Sequence, residues 1–179
     1  MKLEELLAQK KKVIIDKWFD AVVNTYPSDT SRFIKSQKNP FANPVGSTTH
    51  KGLSVLMDEL LGEMNADTIN SFLDPIIRIR AIQDFTPSGA VSFVFSLKDI
   101  IKDQFKDKEF NDHSMLIEVM QFYSKIDLVA KIGFDIYMKC REKIYHIKAN
   151  EEKNRTFRAF ERAGLIKEIP DNETESQLI

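Results

Sequence analysis

The stretch Asp74–Lys102, DPIIRIRAIQDFTPSGAVSFVFSLKDIIK, decides the fold, because it joins two helical patterns through one punctuated turn. Before the turn, Ile69, Phe72, Leu73, Ile76 and Ile79 recur at steps of three and four, which place them on one face of a helix. Thr86-Pro87 restarts the chain. The threonine hydroxyl suits an N-cap, and proline suits the first helical position, where its missing N–H costs nothing and its φ is already helical. The helix that follows carries Ala90, Val91, Phe93, Val94, Phe95, Leu97, Ile100 and Ile101. That leaves almost no polar face over three turns, and a helix apolar all round is expected to be buried.

Outward from this pair the pattern stays helical. Leu3, Leu6, Leu7, Ile14, Trp18 and Val22 predict an amphipathic first helix to about Asn24, with Trp18 in the core, ended by Tyr26-Pro27. Ser28 or Asp29 is expected to cap a short helix containing Phe33 and Ile34. Asn39–Gly46, NPFANPVG, reads as an ordered turn whose Phe41 and Val45 tuck against the core. It has one glycine and no Lys-Ser/Thr pair, so it is no phosphate loop. Ser47, Thr48 or Thr49 then begins a helix with Leu53, Leu56, Met57, Leu60 and Leu61, closed by Gly62.

Asn111-Asp112 caps a last helix running to about Ala149. Leu116, Val119, Tyr123, Ile126, Ala130, Gly133, Tyr137, Cys140, Ile144 and Ile147 form a heptad seam along it, flanked by Met115, Phe122, Val129 and Ile136. The narrower seam after Tyr137 predicts a segment that pairs with another helix, so Tyr137, Cys140, Ile144 and Ile147 are candidate interface residues of a homodimer. Past a polar run at 150–154, Phe157, Phe160, Ala163 and Leu165 suggest a short amphipathic piece, and Asp171–Ile179 a mobile acidic tail. The expectation is an all-α fold: one helical domain over 1–149, followed by this segment over 150–179.

Composition narrows function by exclusion. With 26 basic and 27 acidic residues and a net charge of −1, no global field recruits nucleic acid. No stretch approaches a membrane span or a leader, which points to the cytoplasm. One cysteine permits no intrachain disulfide. His50, His113 and His146 lie in separate segments without metal-ligand spacing, and no nucleophile or phosphate-loop signature occurs, so neither a metal, another cofactor nor catalysis is expected. The informative polar residues are Arg78, Arg80, Gln83, Asp84 and Ser88, clustered at an otherwise apolar junction. Arg80 and Asp84 stand four apart and can pair, while Arg78 or Gln83 can hold the Asn39–Gly46 loop. An internal network is the favoured reading of this set. Arg78, Arg80, Gln83 and Asp84, with Phe93 and Tyr123, are also the candidate ligand-binding residues.

These same residues carry a family resemblance. Trp18 with Thr25-Tyr26-Pro27, the Asn39–Gly46 loop, and Arg78–Ser88 followed by Val91–Lys98 resemble the N-terminal domain of RsbRD-type RsbT co-antagonist proteins, over roughly residues 5–145. The resemblance implies a non-enzymatic sensory or adaptor domain of stressosome-related signalling, with a globin-like helical arrangement and a signalling protein as partner. Such domains are generally followed by an output module, and this chain is expected to act without one. A small-molecule or haem carrier, with a pocket around Phe93, Phe95 and Tyr123, is the alternative.

Overall fold

The computed structural model describes residues 3–37, 39–83, 85–104 and 113–165. Among them are six helices and no strand: α1 (Leu3–Val23), α2 (Ser28–Ser36), α3 (Pro44–Leu61), α4 (Ala66–Ile82), α5 (Pro87–Lys102) and α6 (His113–Arg162). The all-helical expectation holds. The chain divides into two units, Met1–Arg141 and Glu142–Ile179.

In the first unit α1 lies against both α3 and α5, and α3 against α4. Trp18 is the keystone of the α1–α5 contact: its ring is fully buried against Phe93, and its Nε1–H donates to the Phe93 carbonyl at 2.7 Å. Phe93, Val94, Leu97 and Ile101 of α5 complete that contact from the other side. Each such side chain contributes about 1.5–3 kcal/mol on burial. Thr86 and Pro87 start α5 as expected, with the Thr86 hydroxyl accepting from the Gly89 N–H at 3.1 Å.

Several sequence expectations need correction. Helix α2 starts at Ser28 after Pro27 and carries no side-chain cap. Helix α3 begins at Pro44, earlier than Ser47, because Asn43 is the cap and Pro44 takes the first helical position. The buried Asn43 side chain accepts from the Gly46 N–H and donates to the carbonyls of Ile34 and Gln37, so it fastens α2 to α3 by itself. Neither Arg78 nor Gln83 is needed there. Phe41 stands 98% exposed instead of tucking in, and Val45 is half-buried. Gly62 does close α3, with its N–H on the Glu59 carbonyl, and the left-handed residue of that turn is Met64 at φ 58°.

Helix α5 is not buried on every face, as its apolar run predicted: Phe95 faces outward beside exposed Ser92. In α6 the deeper stripe is the flanking one. Met115, Phe122, Val129 and Ile136 are all buried, whereas Leu116 is exposed and Tyr123 half-buried. At 3.6 residues per turn the buried face settles between the two stripes instead of following a 3.5-residue seam. The expected caps Asn111 and Asp112 lie outside the described residues.

The second unit holds the rest of α6, which continues to Arg162 with no break at 150–154; the amphipathic piece is its last turns. Glu151, Glu152, Lys153 and Arg155 are good helix formers, and Arg155 pairs with Glu152 at 2.7 Å. The helix closes at Gly164, φ 68°, with the Leu165 N–H returning to the Phe160 carbonyl. Phe157 and Phe160 remain about half exposed. The 171–179 tail lies outside the described residues.

Two glycines test the packing in opposite directions. A Cβ on Gly52 would stand 2.8 Å from Ile76 Cδ1 and 2.9 Å from the Phe72 carbonyl oxygen, so alanine there must push α4 away from α3. A Cβ on Gly133 would meet Leu73, Val91 and Ile77 at ordinary contact, 3.4–3.6 Å. Gly133→Ala should therefore add about 1 kcal/mol of helix propensity and raise the melting temperature by about 2–4 °C. Gly52→Ala should lower it, as thermal melts followed by circular dichroism will show.

Candidate functional site at the α4–α5 junction

Helix α4 carries the site because its buried face is turned further than the apolar spacing suggests. Ile69, Leu73, Ile76, Ile77 and Ala81 are buried, and Arg80 shares their face with 0% exposure. Its guanidinium lies where three helix ends meet. Nη2 donates to Thr25 Oγ1 at 2.8 Å, just past α1, and to the Gly89 carbonyl at 3.3 Å, in the first turn of α5. Three rings enclose it, with the guanidinium carbon 4.3 Å from the centre of Phe85, 5.2 Å from Phe93 and 5.5 Å from Tyr26. Nε and Nη1 have no acceptor at hydrogen-bond distance, and the Tyr26 phenol is a further hydrogen-bonding neighbour of the guanidinium. No described carboxylate is paired with Arg80.

Burial lowers the Arg80 pKa from the ordinary arginine value, with Tyr26 opposing the shift, and burial likewise raises the Tyr26 phenol, with the Arg80 charge partly offsetting it. The positive charge also sits at the C-terminal ends of α1 and α4, whose backbone carbonyl dipoles favour a cation. Tyr26 and Phe85 meet edge to face at 5.5 Å and, being half-buried, form the outer wall of the cage.

Helix α6 closes over this junction. The buried Tyr137 donates its hydroxyl to the Phe85 carbonyl, and Arg141 Nη1 donates to the Ala81 carbonyl at 3.1 Å, at the end of α4. Since the Phe85 N–H in turn bonds the Arg80 carbonyl at 3.2 Å, the cage and α6 are joined through Phe85.

The six candidate ligand residues therefore separate. Arg80 and Phe93 come together in the cage. Arg78 is exposed and forks onto Asp74 of its own helix at 2.8–3.1 Å. Gln83 is the exposed C-cap that follows α4, and Asp84 lies outside the described residues, as does the expected Arg80–Asp84 pair. Tyr123 belongs elsewhere: it donates to the Lys98 carbonyl at 2.9 Å, nine residues and about 13 Å along α5 from Gly89. Among the candidate interface residues, Tyr137 is buried within the first unit, Cys140 and Ile144 are half-buried and Ile147 is 49% exposed. Thr25, Tyr26, Phe85 and Gly89 were missed as cage residues, although Thr25-Tyr26 and Phe85 stand inside the quoted motifs.

A second feature is an open groove of about 1160 Å³ between α5 and α6, floored by Val91, Phe95, Ala130 and Phe134, with Lys131 and Asp135 among its lining residues. No histidine lines it. His50 packs edge-on against Phe19 and lies 3.6 Å from Asp16, while His113 and His146 are exposed. Among the described residues no group of three His, Cys, Asp or Glu side chains could hold a metal ion, and no helix is long and apolar enough to cross a membrane.

With Trp18, the Asn43-capped loop and the Arg80 junction in place, the residues that carried the resemblance prove to be those that organise the first unit. Residues 12–151 match the family described as the RsbT co-antagonist protein rsbRD N-terminal domain. The chain belongs to this family. No curated protein and no solved structure matches the chain, so the globin-like arrangement of the RsbRD-type domain rests on the resemblance alone.

The raised Tyr26 pKa sets a pH dependence. A phenol whose folded pKa lies above the ordinary value of about 10 contributes stability that is present below that value and is lost as pH rises through the folded one. Tyr26→Phe keeps the ring and removes the titration. Denaturant melts from about pH 9 to pH 11 should show the native protein losing more stability than this variant.

Proposed function

We propose that this protein is a signalling input domain of the RsbT co-antagonist type, which binds a ligand or protein partner at its first unit and passes the change along α6. It acts as a homodimer paired through the later part of α6. The observation that carries this reading is the attachment of α6 to the α4–α5 junction. Tyr137 and Arg141 hold the carbonyls of Phe85 and Ala81, and the same helix continues to Arg162. A shift of Phe85 relative to α4 cannot leave both hydrogen bonds of α6 unchanged. Family membership supports the signalling class, stressosome-type sensing, and the family is not one of known enzymes.

Pairing is supported by the side chains along the later helix. Ile147 and Tyr145 are roughly half exposed, and Ile144 stands one turn before Ile147 on its flank. Burying such residues against a second helix removes apolar surface from water at about 25 cal/mol per Å².

The groove between α5 and α6 favours a second reading, a carrier of an apolar small molecule, because Phe95 and Phe134 both face it. Native mass spectrometry reports stoichiometry and any retained small molecule together. A ligand-free dimer supports an input domain that answers to a protein partner, and a retained mass in the protein as purified makes the domain a ligand sensor or carrier.

The dimer has a direct test. The double variant Ile144→Asp/Ile147→Asp should weaken self-association at least tenfold, about 1.4 kcal/mol, in sedimentation equilibrium without lowering helicity. An unchanged dimer would remove α6 as the pairing element.

A further inference from the structure

We propose that the groove between α5 and α6 holds a single-chain carboxylate of fatty-acid type, with its apolar chain along Phe95 and Phe134 and its head group on Lys131. The inference rests on the second reading above, a small molecule carried in this groove, and names the chemistry of that molecule.

Phe95 and Phe134 are each 44% exposed, and both line the groove beside buried Val91 and Ala130. One exposed ring on a protein surface needs no explanation, but rings from two helices sharing one concavity make an apolar patch. Helix α5 lines the groove from Pro87 to Phe95, eight steps or about 12 Å. One turn further on, Lys98 sits over the rings of Phe95 and Tyr123, 5.7 and 5.4 Å from their centres, and pairs with Asp127 of α6. A partner helix of three turns, about 16 Å long and 10–12 Å across, would run over this partly exposed ion pair and strip its water. A slender chain lies on the rings without reaching it.

The head group follows from the polar side chains of the rim. The Ser92 hydroxyl is committed to the Gly89 carbonyl at 2.9 Å, and Asp127 to Lys98. The second commitment matters for Lys131, because Asp127 stands four residues before it, the spacing at which an acid and a lysine pair on a helix. With Asp127 engaged by α5, Lys131 is exposed and has no ion pair among the described residues, Asp135 included. On the helical wheel Lys131 lies about 60° from Phe134 and Asp135 about 100°, so the ammonium stands nearer the apolar floor than the second carboxylate does. A floor of rings with one free cation at its edge complements a chain that ends in one negative charge, and a carboxylate accepts charge-assisted hydrogen bonds from an ammonium.

Octanoate, octanol and octylammonium carry the same chain with a negative, a neutral and a positive head. Each is titrated into the full chain by isothermal titration calorimetry at constant ionic strength, below the concentration at which it aggregates. Octanoate is expected to bind once per chain and at least tenfold more tightly than octylammonium. Lys131→Met should weaken octanoate at least tenfold and leave octanol unchanged, whereas Lys131→Arg should keep both. Phe134→Ser should weaken octanoate and octanol alike. Lys131 and Phe134 are exposed, so thermal melts of these variants should match the native protein.

Equal binding of octanoate and octanol, or tighter binding of octylammonium, would overturn the proposal while leaving the groove as a place for apolar molecules. Octanoate binding unchanged in Lys131→Met would overturn it by placing the head group elsewhere. Binding of none of the three would remove the carrier reading together with the proposal. Absent octanoate binding combined with self-association that falls in Phe134→Ser would overturn it by putting a second copy of the chain on the groove.

Discussion

A positive charge without exposed surface is the constraint that the rest of the first unit accommodates. Removing a guanidinium from water costs several kcal/mol even after relaxation, and Arg80 has no described carboxylate to offset it. The fold compensates from several directions. Three ring faces contribute about 0.5–2 kcal/mol each, and hydrogen bonds from a charged donor to Thr25 and Gly89 about 1.5–3 kcal/mol each. The C-terminal ends of α1 and α4 add their dipoles. These groups come from α5 and from the connections that follow α1 and α4, so the charge can be tolerated only when the ends of all three helices are assembled. Arg80 in this way makes the relative placement of α1, α4 and α5 cooperative, which a purely apolar junction would not demand.

Much of this arrangement is legible in the residues. Thr86-Pro87 names both the cap and the first position of α5, because each acts within one turn of its own backbone. Trp18 is readable as core from its spacing, although its hydrogen bond to Phe93, 75 residues away, is not. The burial of Arg80 escaped for a related reason. Periodicity marks apolar residues, and it assigned α4 a face through Phe72 and Ile79, both of which are half-buried. The true face runs through Ile77, Arg80 and Ala81, and only the rings brought by α1 and α5 make an arginine acceptable on it. Asn43 was read as a turn residue for the same cause: local chemistry shows that asparagine can cap, but not that its amide also reaches the carbonyls of Ile34 in α2 and Gln37 just past it. The unbroken run of α6 to Arg162 was missed because polarity at 150–154 resembles a linker, when it equally describes a helix with no core to face.

The open groove and the buried Arg80 junction of the first unit respond differently to a shift of helices. On the apolar floor of a groove such as that lined by Phe95 and Phe134, one methylene of a ligand is worth only about 1–3 kcal/mol. The Arg80 junction instead holds a buried charge whose compensating contacts, to Thr25, Gly89 and three rings, are made only in one arrangement of its surroundings. That difference matters for a signalling domain. Moving an equilibrium from 1:99 to 99:1 requires about 5.5 kcal/mol of differential binding between two states, however tightly the ligand binds overall. Contacts on an open surface change little when helices shift, so they contribute little to the difference. Contacts made to a guanidinium held by three helix ends are lost together when those ends separate. The free energy of satisfying Arg80 is therefore tied to one arrangement of α1, α4 and α5, the arrangement that Tyr137 and Arg141 read from α6.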